Sequence, residues 1–455
     1  MSKISPARAA AFEILRRIEK ERAFSSVLLP LYEEKLGDKD RALCHQIVLG
    51  VLRKKLYLDR VIDLFANGRK IDASIRTILE MGLFQLFFLD KIPAYSAINE
   101  AVNLAVKAKK TSAKGFVNAV LRRATRERPE LKFKSETEKI AVETSHPEWL
   151  VEKWAMRFGR EKAFALAAAN NELPPLAFRP TGLFSGGEAF PAENYRKSEF
   201  VENCFIAERA DERLLQMAEA GEIYFQDEAS QMVGQTVGLK PGKSFLDVCA
   251  APGGKTTQIA LGIKNAKLKI KNSDSHNSQP ETRNSQLTAH SSQLISGDVH
   301  SQRVKFLRDN CRRQGVDFVS VVQYDAENSL PFADESFDRV LLDAPCSGTG
   351  TIRHNPEIRY FLREDDFEEL SGKQLRILEN ASKLVKRGGK LIYSTCSLER
   401  EENESVIENF LSGGAGFRPA APPVPERFLT GEGFARTFPS TDDMDGFFIS
   451  VLVRI

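Results

Sequence analysis

The sequence predicts a multidomain chain: an all-α N-terminal domain followed by an α/β domain built on a parallel sheet. Three observations carry this. First, 455 residues exceed one ordinary domain. Second, up to about residue 130 apolar residues return at three- and four-residue spacing, as in Ile75, Ile78, Leu79, Leu83 and Leu86 and again in Ala101, Leu104 and Ala105, with few Gly or Pro breaks. Third, from Ser244 onward short apolar runs, "SFLDV", "QLISGDV", "SVVQYD", "DRVLLDA" and "KLIYST", alternate with loops and helices, which is the pattern of βαβ units.

These readings divide the chain into an all-α domain over 1–138, a connecting α+β region over 139–224 and an α/β domain over 225–455. The connecting region opens with the amphipathic "HPEWLVEKWAMRFG" and continues through the Pro-containing "LPPLAFRP". Inside the α/β domain, residues 276–296 read as three heptads, HNSQPET, RNSQLTA and HSSQLIS. They lack the two apolar positions per heptad of a coiled coil, so a polar, disordered repeat insertion at about 265–293 is expected.

Charge is unevenly placed. Residues 1–140 hold 28 Lys+Arg against 17 Asp+Glu, a net of +11; subtracting from 65 and 62 leaves 37 against 45, a net of −8, for the rest. A nucleic-acid-facing N-terminal region is expected, although a solvated helical surface would carry the same charge. No apolar run reaches the length of a membrane span and "MSKISPARAAAFEILRR" lacks the apolar core of a signal peptide, so a cytoplasmic protein is expected. The 6 cysteines form no C-x-x-C pair and have no His at ligand spacing, which argues against a metal site or a disulfide framework.

"FLDVCAAPGGKTTQ" places small residues and two glycines between a strand and a helix start, a loop whose backbone can approach a ligand closely. It is not a phosphate-binding P-loop, since that motif needs a glycine five residues before Gly254, where Cys249 stands. A nucleoside-binding sheet needs an acidic residue at the end of its second strand to take the ribose hydroxyls. Asp298 has this place once the repeat insertion is removed, and Asp325 ends the next strand, where it can take an adenine amino group. Each aspartate alone also fits a helix cap or turn. Together, at the ends of successive strands, they point to an adenosine-type cofactor.

Cys346 and Cys396 follow the fourth and fifth strands and should face one crevice at the carboxyl ends of the sheet, whereas Cys204 and Cys311 read as buried small hydrophobes. Two thiols beside an adenosine cofactor suit methylation of cytosine C5. That carbon becomes nucleophilic only after a thiolate adds to C6, with a hydrogen bond at N3 assisting, and a second thiol can aid release. A thiol of ordinary pKa needs a helix N-terminus or a cation such as Lys255 to favour its thiolate.

The motifs "YFQDEASQMV", "DVCAAPGGKTTQIA", "DAPCSGTGTIRHNPEIRY", "YSTCSLEREENE" and "DGFFISVLV" resemble, in order, those of the RNA (cytosine-5)-methyltransferases. "DRALCHQIVLGVLRKKLYLDRVI", "LEMGLFQLFFLDKIPAYSAINEAV" and "GFVNAVLRRA" resemble the NusB-like domain of the bacterial branch that methylates 16S ribosomal RNA, so the resemblance covers nearly the whole chain. It implies a NusB-like RNA-binding domain, a Rossmann-like domain using S-adenosylmethionine, small-subunit ribosomal RNA as partner, and a monomer without metal. It also implies Cys396 as nucleophile, Cys346 as the residue of product release, and Asp343 between cofactor and base. Cofactor binding falls to Cys249, Ala250, Ala251, Pro252, Gly253, Gly254, Lys255, Asp298, Asp325 and Asp343. The chain departs from the family at "AFRPTG", where a usual asparagine is absent and Pro180 stands in the turn. Two other readings stay open: a cytosine-5 methyltransferase for another RNA such as tRNA, and a noncatalytic RNA-binding assembly factor with a relic pocket.

Overall fold

Pro6 opens the first helix, α1 (Pro6–Glu21), with the Ser5 hydroxyl capping it through a hydrogen bond from Arg8 N. The computed structural model describes residues 4–184, 190, 194–274 and 292–455. They fall into two compact units: Met1–Leu173 with Ile352–Leu362, and Pro174–Thr351 with Arg363–Ile455.

The first unit is helical. Its longest element, α3 (Asp38–Phe65), begins with Asp38 and Asp40, whose charges suit a helix N-terminus. The apolar stripe read from the sequence faces inward: Ile75, Ile78, Leu79 and Leu83 on α4 (Ala73–Phe88) are buried with Ala101, Leu104 and Ala105 on α5 (Ala94–Lys107), while Leu86 is half-buried. Gly50 of α3 lets the Phe84 ring in, since a Cβ there would lie 1.8 Å from Phe84 Cζ. The helices α7 (Glu136–Glu143), α8 (Glu148–Phe158) and α9 (Arg160–Ala169) belong to this unit. So does the segment Ile352–Leu362. There Glu357 accepts from Ser25 N and Oγ at 2.6 and 3.0 Å, and buried Arg359 donates to the carbonyls of Thr144 and Asn170.

The second unit holds two sheets. The smaller is antiparallel, in the order β2 (Arg196–Lys197), β3 (Phe205–Ala207), β1 (Leu176–Pro180), β4 (Ile223–Phe225). It packs Phe178 against Tyr195 and Phe205. At the departure from the family, Pro180 ends β1 and Thr181 holds the turn, donating through Oγ1 to Gly221 O and accepting from Leu183 N.

The larger sheet runs β10 (Phe417–Ala420), β12 (Phe448–Arg454), β9 (Val385–Thr395), β8 (Phe337–Asp343), β5 (Phe245–Asp247), β6 (Leu294–Asp298), β7 (Ser320–Gln323), with β11 (Ala435–Arg436) beside β12. The five strands read from the sequence are parallel. The sheet is nevertheless mixed, because β12 pairs antiparallel with both β9 and β10. "FFISVLV" is an apolar run whose direction no local signal sets: a helix, Glu404–Ser412, leads from β9 to β10, and the chain then passes through β11 before entering β12. Phe245, Leu246, Val340, Leu341, Leu391 and Ile392 are fully buried, as both faces of a covered parallel sheet require. The helix α12 (Gly254–Asp274) continues through the first part of the expected insertion. The heptads up to residue 291 lie outside the described residues.

Candidate active site

The chain order β5, β6, β7 runs to one side of β5 and then returns to β8 on the other, so the strand order reverses between β5 and β8. Ligands of open α/β sheets bind at the carboxyl ends of strands at such a point. Here it receives the loop Cys249–Lys255 after β5 and Asp343 at the end of β8.

The loop is shaped by its glycines. Gly253 sits at φ +108°, and a Cβ there would lie 2.7 Å from Leu307 Cδ1. Gly254 opens α12, whose first turn presents backbone N–H groups without intrahelical partners. The fold braces the loop from below. Arg179 of β1, buried, donates to Gly254 O at 2.9 Å and Thr257 Oγ1 at 2.8 Å, and Arg303 donates to Ala251 O. Thr256 donates to Asp247 Oδ2 at 2.6 Å, while Asp247 Oδ1, also buried, has no hydrogen-bond partner among the described residues. Burial pushes Asp247 up to about 7 and also raises the neighbouring Cys249 thiol. A backbone cradle that a side chain would fill, beside an orphaned buried oxygen, fits a nucleoside-type cofactor.

Of the other acidic strand ends, Asp298 is buried, paired with Arg303 at 3.3 Å and accepting from His300 N. Asp325 is exposed and accepts from Glu327 N and Asn328 Nδ2, the hydrogen bonds of a turn. Both stand where the sequence placed them, and Asp325 already meets the plainer reading of a turn residue.

The parallel register sets Asp343 opposite Ser394, and the Ser394 hydroxyl donates to Asp343 Oδ1 at 2.7 Å. Lys255 Nζ reaches Asp343 Oδ2 at 2.7 Å and lies over the Phe447 ring at 4.9 Å. Burial opposes the Lys255 charge, but Asp343 outweighs it and a negative charge on Cys396 would add to the effect, so the ammonium is held above its ordinary range. Cys396 Sγ and Cys346 Sγ are 3.4 Å apart. The contact with Cys396, and burial after it, raise the Cys346 thiol well above the ordinary range. The structure thus brings Cys346, Cys396, Asp343, Lys255 and the glycine loop to one end of the sheet. Cys204 and Cys311 lie in the apolar core instead.

Sequence reading missed Arg179, Asp247, Ser394, Phe447 and Glu402. Glu402 is fully buried behind the two cysteines. The only local sign of Ser394 was its place beside the Thr-Cys pair in "YSTCS".

Strand order, glycine loop and acidic strand ends together define a Rossmann-like S-adenosylmethionine-dependent methyltransferase domain. Comparison with known proteins agrees. The family described as 16S rRNA methyltransferase RsmB/F matches residues 280–453, and the NusB family matches residues 5–126. The probable ribosomal RNA small subunit methyltransferase B of Bacillus subtilis (strain 168) is 33% identical over 459 residues, covering 97% of each chain. The ribosomal RNA small subunit methyltransferase B of Pseudomonas putida is 33% identical over 421 residues, covering 90% of each. Among solved structures, that of PH0851 covers 99% of both chains with a TM-score of 0.80 at 26% identity. A methyltransferase homolog from Pyrococcus horikoshii covers 71% of this chain and 100% of its own, with a TM-score of 0.54 at 25% identity. The chain belongs to the 16S rRNA methyltransferase RsmB/F family, as an S-adenosylmethionine-dependent methyltransferase with an N-terminal NusB-family domain.

Proposed function

We propose that the enzyme methylates C5 of one cytosine in 16S ribosomal RNA through a covalent bond between Cys396 and C6 of the base. The observation that carries this reading is the pair of thiols 3.4 Å apart beside the Lys255–Asp343 ion pair. S-adenosylmethionine, when bound, supplies the methyl group. The loop Cys249–Lys255 would hold it, with Asp298 at the ribose and Asp325 near the adenine.

The thiol proton of Cys396 must leave before sulfur attacks, and N3 of cytosine must gain a proton for C5 to become an enamine carbon. Asp343, hydrogen-bonded to Lys255 and Ser394, would take up that proton and give it to N3, and the Lys255 ammonium would attract the thiolate left behind. The Cys396–C6 bond then forms. Once C5 carries the methyl group its proton must depart and the Cys396–C6 bond must break. Cys346, a thiol touching Cys396, protonates the leaving sulfur and as the resulting thiolate takes the C5 proton, while N3 returns its proton to Asp343, which releases it to solvent. The target base must be unpaired or flipped to reach the crevice, and the basic residues of 1–140 would dock the RNA.

The test is a pair of single substitutions in the full chain. Cys396→Ala should abolish methyl transfer to transcribed 16S RNA. Cys346→Ala should accumulate a denaturation-resistant RNA–protein adduct, seen as a shifted band. Equal activity of Cys396→Ala and wild type would overturn the nucleophile assignment, and no transfer by either would leave an RNA-binding assembly factor. Bisulfite sequencing of RNA from a deletion strain identifies the substrate. A missing methyl group in tRNA alone would replace the 16S assignment.

A further inference from the structure

Each reactive thiol is followed in the chain by a serine, Ser347 after Cys346 and Ser397 after Cys396, and both serines turn to one carboxylate. Glu402 Oε1 accepts from Ser347 N at 2.8 Å and from Gln374 Nε2 at 3.0 Å, while Oε2 accepts from the Ser347 and Ser397 hydroxyls, both at 2.5 Å. Gln374 Nε2 also donates to Pro345 O, the residue before Cys346. The four hydrogen bonds to Glu402 favour the ionised carboxylate, while burial, the larger effect, raises its pKa above the ordinary carboxylate range. Its side chain is wholly buried and pairs with no cation among the described residues. A buried charge costs more than a neutral hydrogen-bonding group, so a neutral tie between the loops would better serve stability alone.

We propose that Glu402 is the positioning residue of the two-thiol site: its carboxylate ties the loop of Cys346 to the loop of Cys396 and fixes the separation of the two sulfurs. Two further bonds close the same seam, Gly350 N to Cys396 O and Leu398 N to Thr349 Oγ1, each 2.9 Å. The site is also polarised. The Lys255 cation interacts with Cys396, and the Glu402 charge acts on Cys346, where it helps keep that thiol protonated. Cys346 is thereby kept as the proton donor beside the attacking Cys396, which gives otherwise similar side chains different tasks. The inference rests on the cytosine-C5 reading above.

The experiment compares Glu402→Gln with wild type in the full chain. Gln keeps the shape but removes the charge and two acceptor positions. Single-turnover methyl transfer to transcribed 16S RNA should fall by about tenfold or more, as misplaced reacting groups do. The Kd for S-adenosylmethionine and the KM for RNA should stay at wild-type values. In the Cys346→Ala background, Glu402→Gln should slow adduct formation to the same degree. Wild-type transfer by Glu402→Gln overturns the proposal, and so does a loss of cofactor binding in step with activity, which would mark a purely structural role. If Glu402→Gln does not fold, Ser347→Ala and Ser397→Ala remove one arm each, and normal transfer by both overturns it equally. Failure of the C5 reading shows separately: Cys346→Ala with Glu402 intact then traps no adduct, while the transfer rate of Glu402→Gln still decides the positioning role.

Discussion

Burial, with the Asp343 charge adding to it, pushes Asp247 up to about 7, against the opposing pull of Thr256 and Lys255. The unfolded chain ionises this carboxyl near pH 4. Below pH 4 both states are protonated and the group's contribution to stability is whole. As pH rises from 4 to 7 the unfolded state loses its proton first, so the folded state loses stability, by on the order of 4 kcal/mol once pH exceeds 7. Asp247→Asn removes this dependence and still accepts the Thr256 hydrogen bond. The variant should melt with wild type near pH 4.5 and several degrees above it at pH 8.5, with a flatter profile between. Parallel melting curves across that range would show that Asp247 is charged when folded. From sequence it was simply the polar end of "SFLDV", because nothing local says which strand-end aspartate is sealed from solvent. Glu402 was hidden differently: "EREENE" offers four carboxylates, and only the fold shows which one turns inward beneath the cysteines.

The glycine loop and α12 share one element but ask different things of their glycines. Gly253 needs φ +108° and has no space for a Cβ, whereas Gly262, inside the helix, would meet nothing within 4 Å. Gly253→Ala should therefore cost about 1–3 kcal/mol in the bound-state backbone and weaken S-adenosylmethionine by about tenfold or more in calorimetry. Gly262→Ala should leave affinity unchanged and raise stability by up to about 1 kcal/mol. Equal losses from both would mean that helix packing, not loop conformation, governs the site. Elements of this kind were legible in advance. Parallel strands buried on both faces announce themselves as unbroken apolar runs, and an aspartate or cysteine at each carboxyl end then has only one crevice to face. Less legible were the antiparallel β10–β12 edge, whose runs look like any other strand, and the segment Ile352–Leu362. That segment follows the Pro-Cys motif without a composition break, yet its Arg359 and Glu357 are satisfied by carbonyls and hydroxyls of the helical unit.

Over the whole chain, a net +3 hides the division between +11 in residues 1–140 and −8 in the remainder. Such a division matters for association rather than for folding, since exposed charges contribute little to stability in salt. In the helical unit Lys107, Lys109 and Lys114 are exposed around the end of α5 and the start of α6 (Lys114–Ala124). No ion pair to a carboxylate holds them among the described residues, so they can meet RNA phosphates. If each neutralises one phosphate, the affinity of the full chain for transcribed 16S RNA should fall steeply with salt, each contact contributing about 0.7 to the logarithmic slope. Replacing all three by Gln should lower that slope by about 2 and weaken binding by about tenfold or more at moderate salt. The Kd for S-adenosylmethionine, set in the other unit, should not move. Were the basic surface only a solvated face, wild type and the triple variant would give the same slope, and RNA docking would have to be sought elsewhere on the chain.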